Sequence, residues 1–380
     1  MDNEVIVTPG AAASQSAAPA RPPQTTIVDC DMHPFVPVTE IHARMSARAR
    51  RHANIGSAAV PAREHNRFLH PTGPLRLDAV PPGGRLAGSD PKFAIEDYLD
   101  RYGISLAMIC STQSHAVVSW ADDQAVCEYL RAINDLFLER WYGADRRFRL
   151  LVCVSPHNPD AAIEEIERLA GEPGVVGVHI PSAELSLGST PLLKVYQAAA
   201  HHGLPICLHP NGSEGAFVNS PSHAGSMTRS FAERHANLAQ SGQGQLVSLV
   251  MSGALARVPG LRVMLAEFGF SWVAPVIWRM DDFWRRGGGA DGVLDRPPSE
   301  YVLRQVCFTT QPYDEPDRAS QLLPLLDAMQ AERTLVFSSD YPHWDTDDPP
   351  HVLTHRLPEK LRRRVAHQSA ADFFGDRLWL

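Results

Sequence analysis

The chain is expected to fold as a single (β/α)8 TIM barrel of the α/β class, and three observations lead there. Eight short apolar runs recur along it, as strands buried on both faces of a parallel sheet do. Most are followed by a helical pattern, and that alternation is the mark of parallel β/α architecture. Acids and histidines end several of the runs. In a closed parallel barrel all strand C-termini open onto one face, so residues remote in sequence meet there.

The runs span 26–31, 104–110, 149–154, 175–180, 204–209, 262–267, 305–309 and 335–340. Helices are expected between them. NPDAAIEEIERLAGEPG (158–174) has an Asn start, an i, i+3, i+4 apolar stripe and a Gly-Pro-Gly stop. TPLLKVYQAAAHHGLP (190–205) opens on Thr-Pro and closes on Gly-Leu-Pro. Residues 122–142 and 315–330 read as further helices. The connection 37–93 is too long for an ordinary loop and is expected to be an insertion capping the mouth. A second long segment, 211–245, follows the fifth run and begins NGSEGAFVNSPSHAGS. Both follow strand C-termini, where a barrel enzyme carries its substrate-shaping loops. No internal repeat or second domain is visible, so the barrel is expected to take in 25–380.

Composition bounds the function. With 44% apolar and 21% charged residues, the chain reads as a soluble globular protein with ample core. A net charge of −8 and a pI near 6.1 leave no basic excess, which argues against a nucleic-acid partner. No apolar run approaches the ~18 residues a membrane helix needs. Residues 1–24 are rich in Ala, Pro and Ser, lack the pattern of a secretory signal, and read as a disordered tail. Six cysteines show no CxxC spacing, and Cys30, Cys110, Cys153, Cys207 and Cys307 lie in apolar strand runs. They read as buried free thiols, and the default compartment is the cytoplasm.

The chemistry is concentrated in Asp31 and His33 (TTIVDCDMHP), His209 (LPICLHPNG) and Asp340 (TLVFSSDYPH). Strand side chains alternate faces. Asp31 and His33 therefore share a face with Asp29 one step deeper, as do Cys207 and His209, Leu265 and Glu267, and Ser338 and Asp340. Unpaired carboxylates in a barrel lumen are very costly. A cation that pairs with them removes the cost, and two carboxylates with two imidazoles make a divalent metal site.

The order D-x-D-x-H, LHPNG, PGLRVMLAEFGFSW, FSSDYPH resembles the amidohydrolase-related metal enzymes, across roughly residues 25–375. More narrowly it is similar to the branch holding aminocarboxymuconate semialdehyde decarboxylase and the resorcylate-type decarboxylases. The resemblance implies one divalent ion, Zn or Mn, held by Asp31, His33, His209 and Asp340. Asp31 stands where the family usually has the first His of H-x-H, and an acid there is a known variant. Glu267 stands where a sixth-strand His commonly serves as acid/base, so it takes that role or joins the ligands. The acid-rich donor set adds Mg as a further option.

Metal-activated water, with Asp340 accepting its proton and Glu267 relaying it, leads us to expect hydrolysis of a small organic substrate. The alternative is non-oxidative decarboxylation of an aromatic or unsaturated acid, which Asp31 supports and loss of the sixth-strand His weakens. A rival of another class is a non-catalytic barrel that only binds a ligand. His179, Asn211, His343 and Trp344 are candidate substrate contacts. Arg279 matches an Arg that reaches substrate carboxylate in the decarboxylase branch, or else pairs with Asp282 at i+3. His201 and His202 read as structural, at a helix C-terminus. Trp272, Trp278 and Trp284 read as core or dimer contacts, and a homodimer or larger homo-oligomer is expected.

Overall fold

A computed structural model describes residues 26–59, 75–83, 85–118, 120–210, 231–287 and 292–379; the expected tail and Asn211 lie outside them. Eight parallel strands follow one another in chain order: β1 Ile27–Met32, β2 Ile104–Ile109, β3 Phe148–Cys153, β4 Val175–Pro181, β5 Ile206–His209, β6 Val263–Leu265, β7 Val306–Thr309 and β8 Leu335–Val336. Each expected run yields its strand, and helices lie between them as a (β/α)8 barrel requires. The seam between β8 and β1 is closed by three backbone bonds. Cys30 N donates to Phe337 O (2.9 Å), Asp340 N to Asp31 O (3.0 Å) and His33 N to Tyr341 O (2.8 Å).

Two apolar clusters divide the strands. The outer one lies between strands and helices and holds Ile109, Val152, Ile180, Leu208, Leu265 and Phe308. The inner one takes a residue from every strand, among them Val28, Met108, Leu151, Val176, Cys207, Met264, Cys307 and Val336. The strand cysteines Cys30, Cys110, Cys153, Cys207 and Cys307 are buried and free, as expected. Phe373, Phe374 and Leu378 of the C-terminal segment join the inner cluster. They sit at the strand N-termini, where Arg149 Nε donates to Leu378 O (3.3 Å) and Arg262 to Phe373 O. The lumen is thus a packed core stoppered from below.

The helices start where the sequence marks them. Asp122 caps Asp123–Phe137 by accepting from Ala125 N (3.1 Å), and Asn158 caps Pro159–Leu169 by accepting from Ala161 N (3.1 Å). The long helix expected over 315–330 is not formed. A 3-10 turn at Ala319–Gln321 precedes a short helix, Leu323–Ala328, whose first turn holds Pro324. Proline has no N–H to give an earlier turn and starts the helix there.

The expected cap divides. Its helices Val38–Arg44 and Ala47–Ala59 pack on the barrel flank against Asp123–Phe137. Arg48 pairs with Asp122 (2.5 Å) and Arg44 with Glu139, so the segment's arginines find acids there, and its Glu40 pairs with Arg140 (2.5 Å). Its return limb reaches the rim, where Leu75 bridges His343 and Arg76 N donates to Pro342 O (2.9 Å). Residues 60–74 lie outside the described residues.

Phe374 is fully buried between stopper and strands. Phe374→Ala is expected to cost roughly 3–5 kcal/mol in urea unfolding, with the metal stoichiometry of the folded protein unchanged.

Candidate metal centre

Strand alternation brings His209 into the mouth with Cys207, which lies in the inner cluster. His179 on β4 pairs in register with Cys207 and shares that face. β1 departs from the simple pattern. Asp29 pairs with Ala107 and Met32 with Ile109, so β1 carries one more residue than β2 across that interval. The extra residue is a bulge, which resets alternation. Asp29 therefore does not share a face with Asp31, as simple alternation had it. It turns outward, accepting from Tyr98 Oη (2.8 Å) and Ser339 Oγ (2.6 Å), while Asp31 and His33 turn into the mouth.

Glu267 lies beyond β6, where alternation would place it with Leu265 on the outer face. Its backbone is left-handed (φ 58°), and so is that of Asp340 (φ 61°). Non-glycine residues held there store about 1–3 kcal/mol each and gather at functional sites. Both turns aim a carboxylate at the barrel axis.

Asp31, His33, His209 and Asp340 each offer one ligand atom, and these atoms lie within 4.8 Å of one another, all buried. His33 Nε2 is 2.9 Å from Asp340 Oδ1 and 3.4 Å from Asp31 Oδ1, and His209 Nε2 is 3.4 Å from Asp31 Oδ2. Both rings are oriented from behind. His33 Nδ1 donates to Cys110 O (3.3 Å) and His209 Nδ1 to Pro210 O (2.6 Å). A carbonyl only accepts, so Nδ1 carries the proton and each Nε2 lone pair faces the centre. Among the described residues, Asp31 Oδ2, His33 Nε2 and His209 Nε2 are buried without a well-formed hydrogen bond. Buried polar atoms without partners cost about 1–3 kcal/mol each, and a divalent cation would satisfy all three together. The residues fit a metal.

The electrostatics divide the carboxylates. Burial pushes Asp31 up, but the His33 and His209 rings overcome it and hold the carboxyl well below its usual range. Glu267 is brought down to about 2, burial again being outweighed by His209, whose Nε2 is 3.0 Å from Glu267 Oε2. Asp340 is driven well above the usual range by burial and by the charge of Glu267. Its Oδ1 accepts from His343 Nδ1 at 2.5 Å, and its Oδ2 from Gln311 Nε2 at 3.2 Å.

Other expected residues fall variously. His343 stands at the rim beside Asp340, 14% exposed. Trp344 is more open, its ring against that of His235. His179 is fully buried, and its neighbour His115 is nearly so. The two meet Nε2 to Nε2 at 3.2 Å, and His115 stacks on His209 with centroids 4.9 Å apart. Burial, then the neighbouring His209 ring, holds both well below the usual histidine value. Arg279 is exposed on the helix Val273–Arg286 and is not brought to the cluster. Its expected partner Asp282 pairs instead with Arg286 (2.8 Å). Trp272 is buried and Trp284 packs on the core, whereas Trp278 is exposed.

Sequence reasoning missed His115 and Gln311. His115 belongs to a short helix, Gln113–Val117, past the end of β2, and Gln311 follows β7 by two residues. Their position beyond strand C-termini was the available signal.

An eight-stranded parallel barrel with an acid–histidine cluster at its C-terminal mouth defines a class of metal-site barrels. Residues 28–375 match the amidohydrolase family, and the chain belongs to it. The γ-resorcylate decarboxylase of Rhodococcus jostii (strain RHA1) is 27% identical over 297 residues, 73% of this chain and 85% of that protein. The 5-carboxyvanillate decarboxylase of Sphingomonas paucimobilis superposes with a TM-score of 0.64 at 20% identity, covering 92% of this chain and 99% of that one. A dihydroxybenzoic acid decarboxylase of Polaromonas sp. JS666, with bound manganese and the inhibitor 2-nitroresorcinol, gives 0.65 at 17% identity. That match covers 94% of this chain and 100% of the other. These relatives fall in the decarboxylase branch that the motifs resemble. No helix among the described residues is long and apolar enough to cross a membrane.

Removal of His209 should disable the centre. Calorimetric titration with manganese is expected to show one ion per wild-type chain, and no binding at micromolar concentration for His209→Ala.

Proposed function

We propose that this protein is a metal-dependent, non-oxidative decarboxylase of aromatic acids that carry an oxygen ortho to the carboxylate. The observation that carries this reading is the 297-residue match to γ-resorcylate decarboxylase. The chemistry of the mouth agrees with it. Hydrolysis, the reading first expected, needs Glu267 to relay a proton. Glu267 Oε2 instead lies 3.0 Å from His209 Nε2, against the ligand atoms, and its carboxyl is held low, which suits it to facing the positive centre rather than to giving a proton. A purely binding barrel leaves the convergent unpartnered lone pairs without a purpose.

A divalent cation held by Asp31, His33, His209 and Asp340 would supply the positive charge that receives the substrate's carboxylate and ortho oxygen. Manganese is the favoured ion, since two carboxylates harden the donor set and the Polaromonas relative binds it. Zinc is the second choice.

The protein must place a proton on the ring carbon that bears the carboxylate. That proton is held between His343 Nδ1 and Asp340 Oδ1, which lie 2.5 Å apart. On its transfer to carbon, the ring–carboxylate bond breaks, its electron pair restores the ring, and carbon dioxide leaves. The sum is one proton consumed for each carbon dioxide released, without oxidant or reductant. His343, partly open to solvent, is placed to recover the proton. His115 and Trp344 supply ring surfaces for an aromatic substrate.

The test is a panel of hydroxybenzoates with manganese, read by carbon dioxide release, beside a panel of lactones and amides. Release from an ortho-hydroxylated acid, with the esters and amides untouched, is expected. Turnover of the second panel alone overturns the reading. His343→Asn is expected to keep its manganese and lower kcat about 100-fold, within the range for a lost acid–base group.

A further inference from the structure

We propose that Asp29 is a positioning residue that sets Asp31 and Asp340 at the spacing a cation needs. The inference rests on the metal reading of the mouth. One oxygen of Asp29, Oδ1, accepts the backbone N–H of Asp31 (3.1 Å) and that of Ser339 (3.0 Å). The first belongs to a ligand residue, and the second to the residue before another. A single buried atom therefore ties the two chain segments that deliver the two carboxylates across the β8–β1 seam.

The local bond also explains the bulge. An Asp side chain that accepts from the N–H two residues on makes an Asx turn, an alternative to ladder pairing. Here it falls inside β1, between the paired residues Asp29 and Met32. It satisfies Asp31 N–H at the extra residue and lets Asp31 turn toward the lumen. Without it, regular alternation from the inner residues Val28 and Cys30 points Asp31 to the outer face.

The second oxygen, Oδ2, does separate work. It accepts from Tyr98 Oη (2.8 Å) and Ser339 Oγ (2.6 Å), fastening the carboxylate to the outer core. Tyr98 stacks on Tyr341 (centroids 4.7 Å, planes 17° apart) and belongs to the outer apolar cluster. Loss of its hydroxyl removes one hold on Asp29 without touching the backbone bonds to Asp31 and Ser339. Stability and metal affinity are thereby separable.

The experiment measures manganese binding by calorimetry at a temperature where circular dichroism shows every variant folded. Wild type, Asp29→Asn, Asp29→Ala and Tyr98→Phe are compared. Asn keeps a carbonyl oxygen for both N–H groups and an amide that donates to Ser339 and Tyr98, so its affinity is expected within about threefold of wild type. Asp29→Ala is expected to bind about 10–100-fold more weakly, as when outer partners of metal ligands are lost. Tyr98→Phe is expected to lower the unfolding midpoint while leaving affinity unchanged. If Asp29→Ala does not fold, Asp29→Ser takes its place; its single short hydroxyl cannot serve both N–H groups, and at least fivefold weakening is expected. Wild-type affinity in the folded Ala or Ser variant overturns the positioning role. Absence of manganese binding in wild type overturns the metal reading instead, so the two failures are distinct.

Discussion

Three carboxylates, Asp31, Glu267 and Asp340, are buried at one end of a barrel, and the rest of the structure answers that constraint. Removing a charged carboxylate from water costs several kcal/mol unless charge and hydrogen bonds replace the water. His209 faces both Asp31 and Glu267, while His33 faces Asp31 and Asp340. Even so, lone pairs remain that no group among the described residues satisfies. The site is built for something that brings positive charge from outside.

The barrel's layers serve the same end. Its lower lumen is apolar, lined by small thiols and aliphatic side chains and closed by Phe373 and Phe374. That packing closes the lumen from below, and the site faces the mouth. There the backbone departs from regularity: a bulge in β1, and left-handed residues after β6 and before the rim at Asp340. A rigid cylinder supplies position and local irregularity supplies aim, which is how parallel barrels carry chemistry at strand C-termini.

Much of this was legible beforehand, for physical reasons. Strands buried on both faces announce themselves as short apolar runs, and a charged residue ending such a run has few explanations. Asp31, His33, His209 and Asp340 were readable on that ground. What escaped depended on side chain to backbone bonds or on left-handed turns. Asp29 was placed on the wrong face because its own carboxylate interrupts the alternation used to place it. Glu267 was put in the mouth by a parity that does not hold; a left-handed turn brings it there. His115 rides on a short helix beyond β2, where strand periodicity no longer applies, and Gln311 carries no charge to draw notice. Pro324 shortened the helix expected over 315–330, and the arginines of the expected cap were drawn to acids on the flank.

Manganese soaked into crystals of this protein, located by anomalous scattering, addresses the convergence of these four side chains most directly. One strong peak within bonding distance of Asp31, His33, His209 and Asp340 is the predicted result. A peak elsewhere, or none in crystals shown to have taken up the ion, would contradict the account.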